Sequence, residues 1–238
     1  MSCFFVMLVV SWACLATQSL AAPFDNRPKL MLHLIPVTTK NICARGLIDC
    51  QAGATAGSLV DSESGPFYIV YLLAELGSIA SSTGFACGLH YGNDSPNADR
   101  DGRGIEVFDW RLCGSGYDLP SNPPWPKPTG VSSRVWYSDM DDCLSDRAAV
   151  SGYFYLGAYS PDTLRLGLRQ FDNPPVMINC QTGLEQGLSP GDLGSVVFSA
   201  GGTISGCNPC VVPCGVIATT STTWSRIKGT LLPQTGDE

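Results

Sequence analysis

The stretch Ala148–Phe171, AAVSGYFYLGAYSPDTLRLGLRQF, decides the fold class, because two alternating runs flank a single turn. Leu164, Leu166 and Leu168 recur at every second position with Arg165, Gly167 and Arg169 between them, the pattern of a half-buried strand. Ser160-Pro161-Asp162 supplies the turn, since proline presets φ and aspartate can bond its own backbone. Closed as a hairpin with a three-residue loop, the leucines lie opposite Ala158, Leu156 and Phe154 and give one apolar face. Tyr153, Tyr155, Arg165 and Arg169 are then left together on the other face as candidate ligand contacts. A solvated β face has the same composition, because tyrosine favours strands and arginine keeps them soluble.

Composition extends this reading to the whole chain. Of 238 residues only 15% are charged, against about a quarter in ordinary domains, while 26 are glycine and 17 proline. That balance predicts many turns between strands. The formal charge of −7 argues against nucleic acid, and no basic run speaks for binding to a membrane surface. Met1 to Ala22 reads as a secretory signal, an apolar run from Cys3 to Ala16 followed by Ser19-Leu20-Ala21-Ala22, although no Lys or Arg precedes the run. No membrane span is expected once that segment is cleaved, so the mature protein is secreted or held at the cell surface.

Loss of Cys3 and Cys14 with the signal leaves nine of eleven cysteines, and export makes disulfides the default. Cys43 and Cys50 close a short loop. Thr83–Tyr91 and Ile105–Cys113 are expected to form a second hairpin, with Cys87 bonded to Cys113 because both are equidistant from residue 100. That register puts Leu89 opposite Arg111 although Phe108, Trp110 and Leu112 look like the core set, a conflict that a β-bulge resolves. Cys143 and Cys180 are nearly symmetric about Pro161-Asp162 and form the second expected pair.

The loop between Tyr91 and Ile105 carries the most chemical motif. Asn97, Asp99 and Asp101 alternate and Gly102 follows, as in the first half of an EF-hand loop, with Glu106 near enough to add a carboxylate. Calcium is therefore the one cofactor with a rationale, although Phe108 stands where that loop type has its bidentate glutamate. Catalytic motifs fare worse. Gly187-Leu188-Ser189-Pro190-Gly191 fits a nucleophile elbow, but Pro190 has no N–H for an oxyanion hole. Cys207-Asn208-Pro209-Cys210 fits a redox motif, but Val211-Val212-Pro213 is a poor helix start. His33 sits among large hydrophobes and reads as a satisfied structural histidine. Leu232-Pro233-Gln234-Thr235-Gly236 matches a sortase signal without the apolar span that should follow it.

The strand Gly84-Phe85-Ala86-Cys87-Gly88-Leu89-His90-Tyr91, the aromatic strand Gly152–Tyr159 and the tail Thr222-Thr223-Trp224-Ser225-Arg226-Ile227-Lys228 resemble cohesin-like or immunoglobulin-like β-sandwich modules of bacterial secreted proteins. The resemblance spans roughly residues 60–228 and implies binding without catalysis, with no residue of a binding site carried over. The expected fold is an all-β, two-sheet antiparallel sandwich stapled by disulfides. Its expected divisions are a signal at 1–22, an N-terminal strand and the Cys43/Cys50 loop at 23–65, the sandwich at 66–214, and a linker and tail at 215–238. The expected function is a non-enzymatic extracellular binding or surface-assembly module, engaging a protein, a glycan or a second copy of itself. A calcium-dependent carbohydrate binder and a secreted hydrolase using carboxylates are the alternatives.

Overall fold

A computed structural model describes residues 26–38, 42–43, 49–60, 66–92, 102–113, 116–120, 125–127, 131–136, 143–169 and 173–215. Its strands are β1 (Lys29–Pro36), β2 (Ala56–Ser58), β3 (Tyr68–Glu75), β4 (Ser82–His90), β5 (Ile105–Leu112), β6 (Tyr117–Pro120), β7 (Val131–Trp136), β8 (Ala148–Ala158), β9 (Asp162–Gly167), β10 (Val176–Asn179), β11 (Glu185–Gly187) and β12 (Ser195–Ser199). One sheet runs β1-β3-β8-β5 and is antiparallel throughout. The other runs β11-β10-β4-β9-β12-β2, with β7 added to β4 and β6 to β7. Among the described residues its one parallel pairing joins β12 to β2.

The sheets face each other across one core. Leu30, Leu32 and Leu34 of β1, Val70, Leu72 and Ala74 of β3, and Phe154, Leu156 and Ala158 of β8 meet Phe85, Cys87 and Leu89 of β4, Leu164 and Leu166 of β9, and Val196 and Phe198 of β12. Period-2 alternation places these side chains on the inner faces, and each large one contributes about 1.5–3 kcal/mol through burial. The fold is thus an all-β sandwich.

Two expected hairpins are absent. β8 belongs to the first sheet and β9 to the second, where β9 pairs with β4 and β12. The turn at 159–162 is an arch across the sandwich. It is stitched to the start of β5: the Asp162 carboxylate Oδ2 accepts from the amides of Gly92 and Ile105 at 2.9 and 3.0 Å, and Tyr159 N–H donates to Gly104 C=O at 2.8 Å. Alternation dictates which side chains turn inward and is silent on the neighbouring strand, so arch and hairpin share one sequence pattern. Leu168, expected in the core, lies beyond the end of β9 and is 45% exposed.

β4 and β5 are likewise in different sheets. Cys87 points into the core as a free thiol and Cys113 is bonded to Cys43, so the expected Cys87–Cys113 bridge is incorrect. Cys43 and Cys50 are not joined to each other either, because Cys50 is bonded to Cys210. Cys143–Cys180 and Cys207–Cys214 complete four disulfides among the described residues. A bulge does interrupt β5, between Val107 and Asp109 in its pairing with β8. It turns Ile105 and Val107 inward before it and Trp110 and Leu112 inward after it, leaving Phe108 outside.

Candidate binding face

The outer face of the first sheet divides into a covered part and an open part. Met31, Ile69, Tyr71 and Leu73 are covered by Ile42, Cys50 and Cys210, which the disulfides pin down. Tyr71 OH donates to Ile42 C=O at 2.7 Å. Toward β5, which ends the sheet, the cover gives way to an aromatic cluster. Phe67 is 37% exposed, and Phe108 and Tyr155 are half-buried. The three rings lie 5.5–5.7 Å apart at tilted or edge-on angles, within the range where aromatic pairs attract beyond their area burial. Gly157 of β8 makes room for them: a Cβ there would stand 3.2 Å from the Phe67 ring and 3.5 Å from Phe108.

Polar groups rim this cluster. Tyr153 is half-buried and stands opposite Arg111 in the β5–β8 register. Arg111 is exposed, and its Nε donates to Asp109 Oδ2 at 2.7 Å, which raises its pKa. Burial, followed by the nearby Glu106 carboxylate and Tyr155, raises the pKa of Tyr159. Glu106 is buried, and its Oε1 accepts from Gly102 N–H at 2.6 Å, at the foot of the acidic loop. Gly102 has φ +73°, which suits glycine. Asn97, Asp99 and Asp101 lie outside the described residues, as do the signal segment and the C-terminal tail.

The four residues expected on one face are split between opposite sides of the sandwich. Tyr153 and Tyr155 face outward from the first sheet, whereas Arg165 faces outward from the second, with Leu164 and Leu166 turned to the core on either side of it. Arg169 is committed to structure, its Nε donating to Pro174 C=O at 2.8 Å. Missed by the sequence reading were Phe67 and the outward orientation of Phe108. The signal for the second was present: Val107-Phe108 places two apolar residues side by side where alternation demands one, the mark of a bulge.

Groups that suggest catalysis in the sequence are engaged otherwise. At the start of a short 3-10 turn, Ser189 Oγ and Ser189 N–H both donate to Asp192 Oδ2 at 2.7 Å, while Arg27 pairs with Asp192 at 3.2 Å. Cys207 and Cys210 are bonded to different partners and form no dithiol pair. His33 Nδ1 accepts from Ala54 N–H at 2.8 Å, and desolvation lowers its pKa. His90 Nε2 lies 3.1 Å from the Leu168 carbonyl. Among the described residues no helix is long and apolar enough to cross a membrane.

No protein-family model matches the chain, and no curated protein matches it. Among solved structures it is similar to the cohesin module of a family 33 glycoside hydrolase from Clostridium perfringens, with 9% identity and a TM-score of 0.41 over 62% of this chain and 98% of that one. It is similar to a chain of a type I cohesin–dockerin complex from Clostridium thermocellum, with 10% identity and a TM-score of 0.39 over 61% of this chain and 89% of that one. It is also similar to a type II cohesin domain from the cellulosome of Acetivibrio cellulolyticus, with 10% identity and a TM-score of 0.40 over 73% of this chain and 97% of that one.

Proposed function

We propose that the protein is an exported, non-catalytic binding module whose contact surface is the Phe67–Phe108–Tyr155 cluster with Tyr153 and Arg111 at its rim. The observation that carries this reading is a cluster of tilted aromatic rings left open on a sheet face that is otherwise covered. Aromatic side chains and arginine are the residues that most often anchor interfaces, and a rigid sheet presents them at little cost in conformational entropy. Four disulfides support export, since such bonds persist in oxidising compartments. The partner is an extracellular protein, a glycan or a second copy of the chain.

Sedimentation of the oxidised protein and affinity electrophoresis in a panel of soluble polysaccharides test this. Any association found should weaken at least tenfold in Phe67→Ser or Phe108→Ser and be unchanged in Arg165→Ala, which alters the opposite side. An association lost with Arg165→Ala and kept in the aromatic variants would overturn it.

Calcium dependence is the second reading, supported by Glu106 at the base of the Asn97, Asp99 and Asp101 loop. A bound ion there would lie at the end of β5, the strand that carries Phe108.

A further inference from the structure

We propose that Cys50, Cys210 and Glu75, with Met31 beside them, form a zinc site in the reduced chain, so that Zn²⁺ and the Cys50–Cys210 disulfide are alternative occupants of one buried position. The Cys50 and Cys210 sulfurs and a Glu75 carboxylate oxygen all lie within 4.8 Å of one another. Met31 Sδ is 3.6 Å from Cys50 Sγ. Cys50, Cys210 and Met31 pack together in the covered part of the outer face, and Glu75 is buried.

The two cysteines are held in place by contacts that do not pass through sulfur. Asn208, itself buried, donates from Nδ2 to Cys50 C=O at 2.9 Å and accepts at Oδ1 from Cys210 N–H at 2.9 Å. Asp49 caps the same turn through Gln51 N–H. These hydrogen bonds link the two backbones without passing through sulfur, so on this proposal they persist in the reduced chain. Two thiolates on one tetrahedral zinc, at Zn–S distances of about 2.3 Å, stand about 3.8 Å apart. The Cα–Cα separation of 5.8 Å accommodates that spacing with a shift of about 1 Å at each sulfur from the roughly 2 Å of a disulfide.

Glu75 gives the site its third ligand. It is 7% exposed, and the carboxylate has little to gain from a neighbouring disulfide. Beside two thiolates it would set like charges together, which a divalent cation relieves. Arg147 Nε donates to Glu75 Oε1 at 2.8 Å, but the arginine side chain is 82% exposed and can release that oxygen at small cost. Two sulfurs and one oxygen suit zinc, with water or the Met31 thioether at the fourth position. Calcium and magnesium, which take oxygen ligands, do not fit. Zinc binding displaces one proton from each thiol to solvent and oxidises nothing. Disulfide closure requires the ion to leave and proceeds by exchange with a small-molecule disulfide such as oxidised glutathione, which accepts the two electrons and the two thiol protons and departs as two glutathione thiols.

The test is oxidative refolding of the full chain in a glutathione redox buffer with and without micromolar free Zn²⁺, with each disulfide followed by acid quench and peptide mapping. Zinc should delay Cys50–Cys210 closure at least tenfold and leave Cys143–Cys180 unchanged. Glu75→Gln should remove most of the delay, and Arg147→Gln, an exposed change that frees the carboxylate, should lengthen it. Native mass spectrometry of the reduced chain should count one zinc that survives Cys207→Ser/Cys214→Ser and is lost in Cys50→Ser and in Cys210→Ser. Equal delay of all four bonds, no delay, no response to Arg147→Gln, or an ion lost with Cys207 and Cys214 would overturn the assignment.

Discussion

Replacing Asp162 by alanine separates an arch from a hairpin. In a hairpin this side chain would serve only its own turn, and its loss would cost the roughly 0.5–2 kcal/mol, typically about 1, of a local capping bond. In the arch its Oδ2 accepts from Gly92 and Ile105 at 2.9 and 3.0 Å, and its Oδ1 accepts from Thr163 N–H at 2.7 Å. The first two donors precede and follow the acidic loop, so one carboxylate ties β4, β5 and β9 together. Hydrogen bonds to charged groups contribute about 1.5–3 kcal/mol each, and part of that is recovered by water because Asp162 is half-buried. Asp162→Ala should therefore cost about 2–4 kcal/mol, a fall in Tm of roughly 5–15 °C for a domain of this size. Urea titration with the four disulfides intact measures it as a shift in midpoint at constant slope. Asp162→Asn, which keeps an acceptor oxygen, should cost about half as much. A loss below about 1 kcal/mol for Asp162→Ala would refute the stitching of the arch to β5.

Further outcomes follow from single groups. His33 must be neutral to accept from Ala54, and its lowered pKa means that the unfolded chain binds the proton first; stability is full above the ordinary histidine pKa of about 6.5 and falls as pH drops below it. Urea midpoints from pH 7.5 to 5 should show that slope reduced in His33→Gln, and an equal slope in both proteins would contradict it. Cys87 is pushed up to about 12 by burial, with Arg169 acting the other way, so its contribution is intact below the ordinary thiol pKa of 9.0 and is lost as pH rises through about 12. Iodoacetamide at pH 8 should label Cys87 only after unfolding, and rapid native labelling would place the thiol outside the core. Peptide mapping should link Cys43 to Cys113, and a Cys87–Cys113 peptide would overturn the sheet assignment of β4 and β5. Millimolar Ca²⁺ should raise Tm, and Asp99→Ala or Asp101→Ala should abolish that rise; an unchanged Tm removes calcium from consideration.

What the sequence makes legible is the direction of each side chain, and what it hides is the identity of each neighbour. Phe154, Leu156, Ala158, Leu164 and Leu166 turn inward as their alternation requires, whether β8 and β9 share a sheet or face each other across the core. The difference lies in the turn, where Asp162 is as good a cap for two distant amides as for its own loop. The same ambiguity governs the cysteines. Cys143 and Cys180 are bonded, but symmetry about Pro161-Asp162 is not the cause. Leu144 bridges to Ser82 and Cys180 N–H donates to Ser81 C=O, so both cysteines are delivered to the start of β4 by backbone hydrogen bonds that no local pattern records. Cys87 and Cys113 are just as symmetric about their loop and lie in different sheets. A disulfide read from spacing presumes a hairpin, and where arches replace hairpins the cysteine at an inward position is kept from oxidation by the core around it. The open face has the same origin. Ile105 and Val107 turn inward, so Phe108 turns outward beside Tyr155 of β8 and Phe67, which precedes β3, and the bulge then returns Trp110 and Leu112 to the core. A single extra residue thus lets β5 keep Ile105, Val107, Trp110 and Leu112 on the core side while Phe108 stays on the surface on which the proposed binding depends.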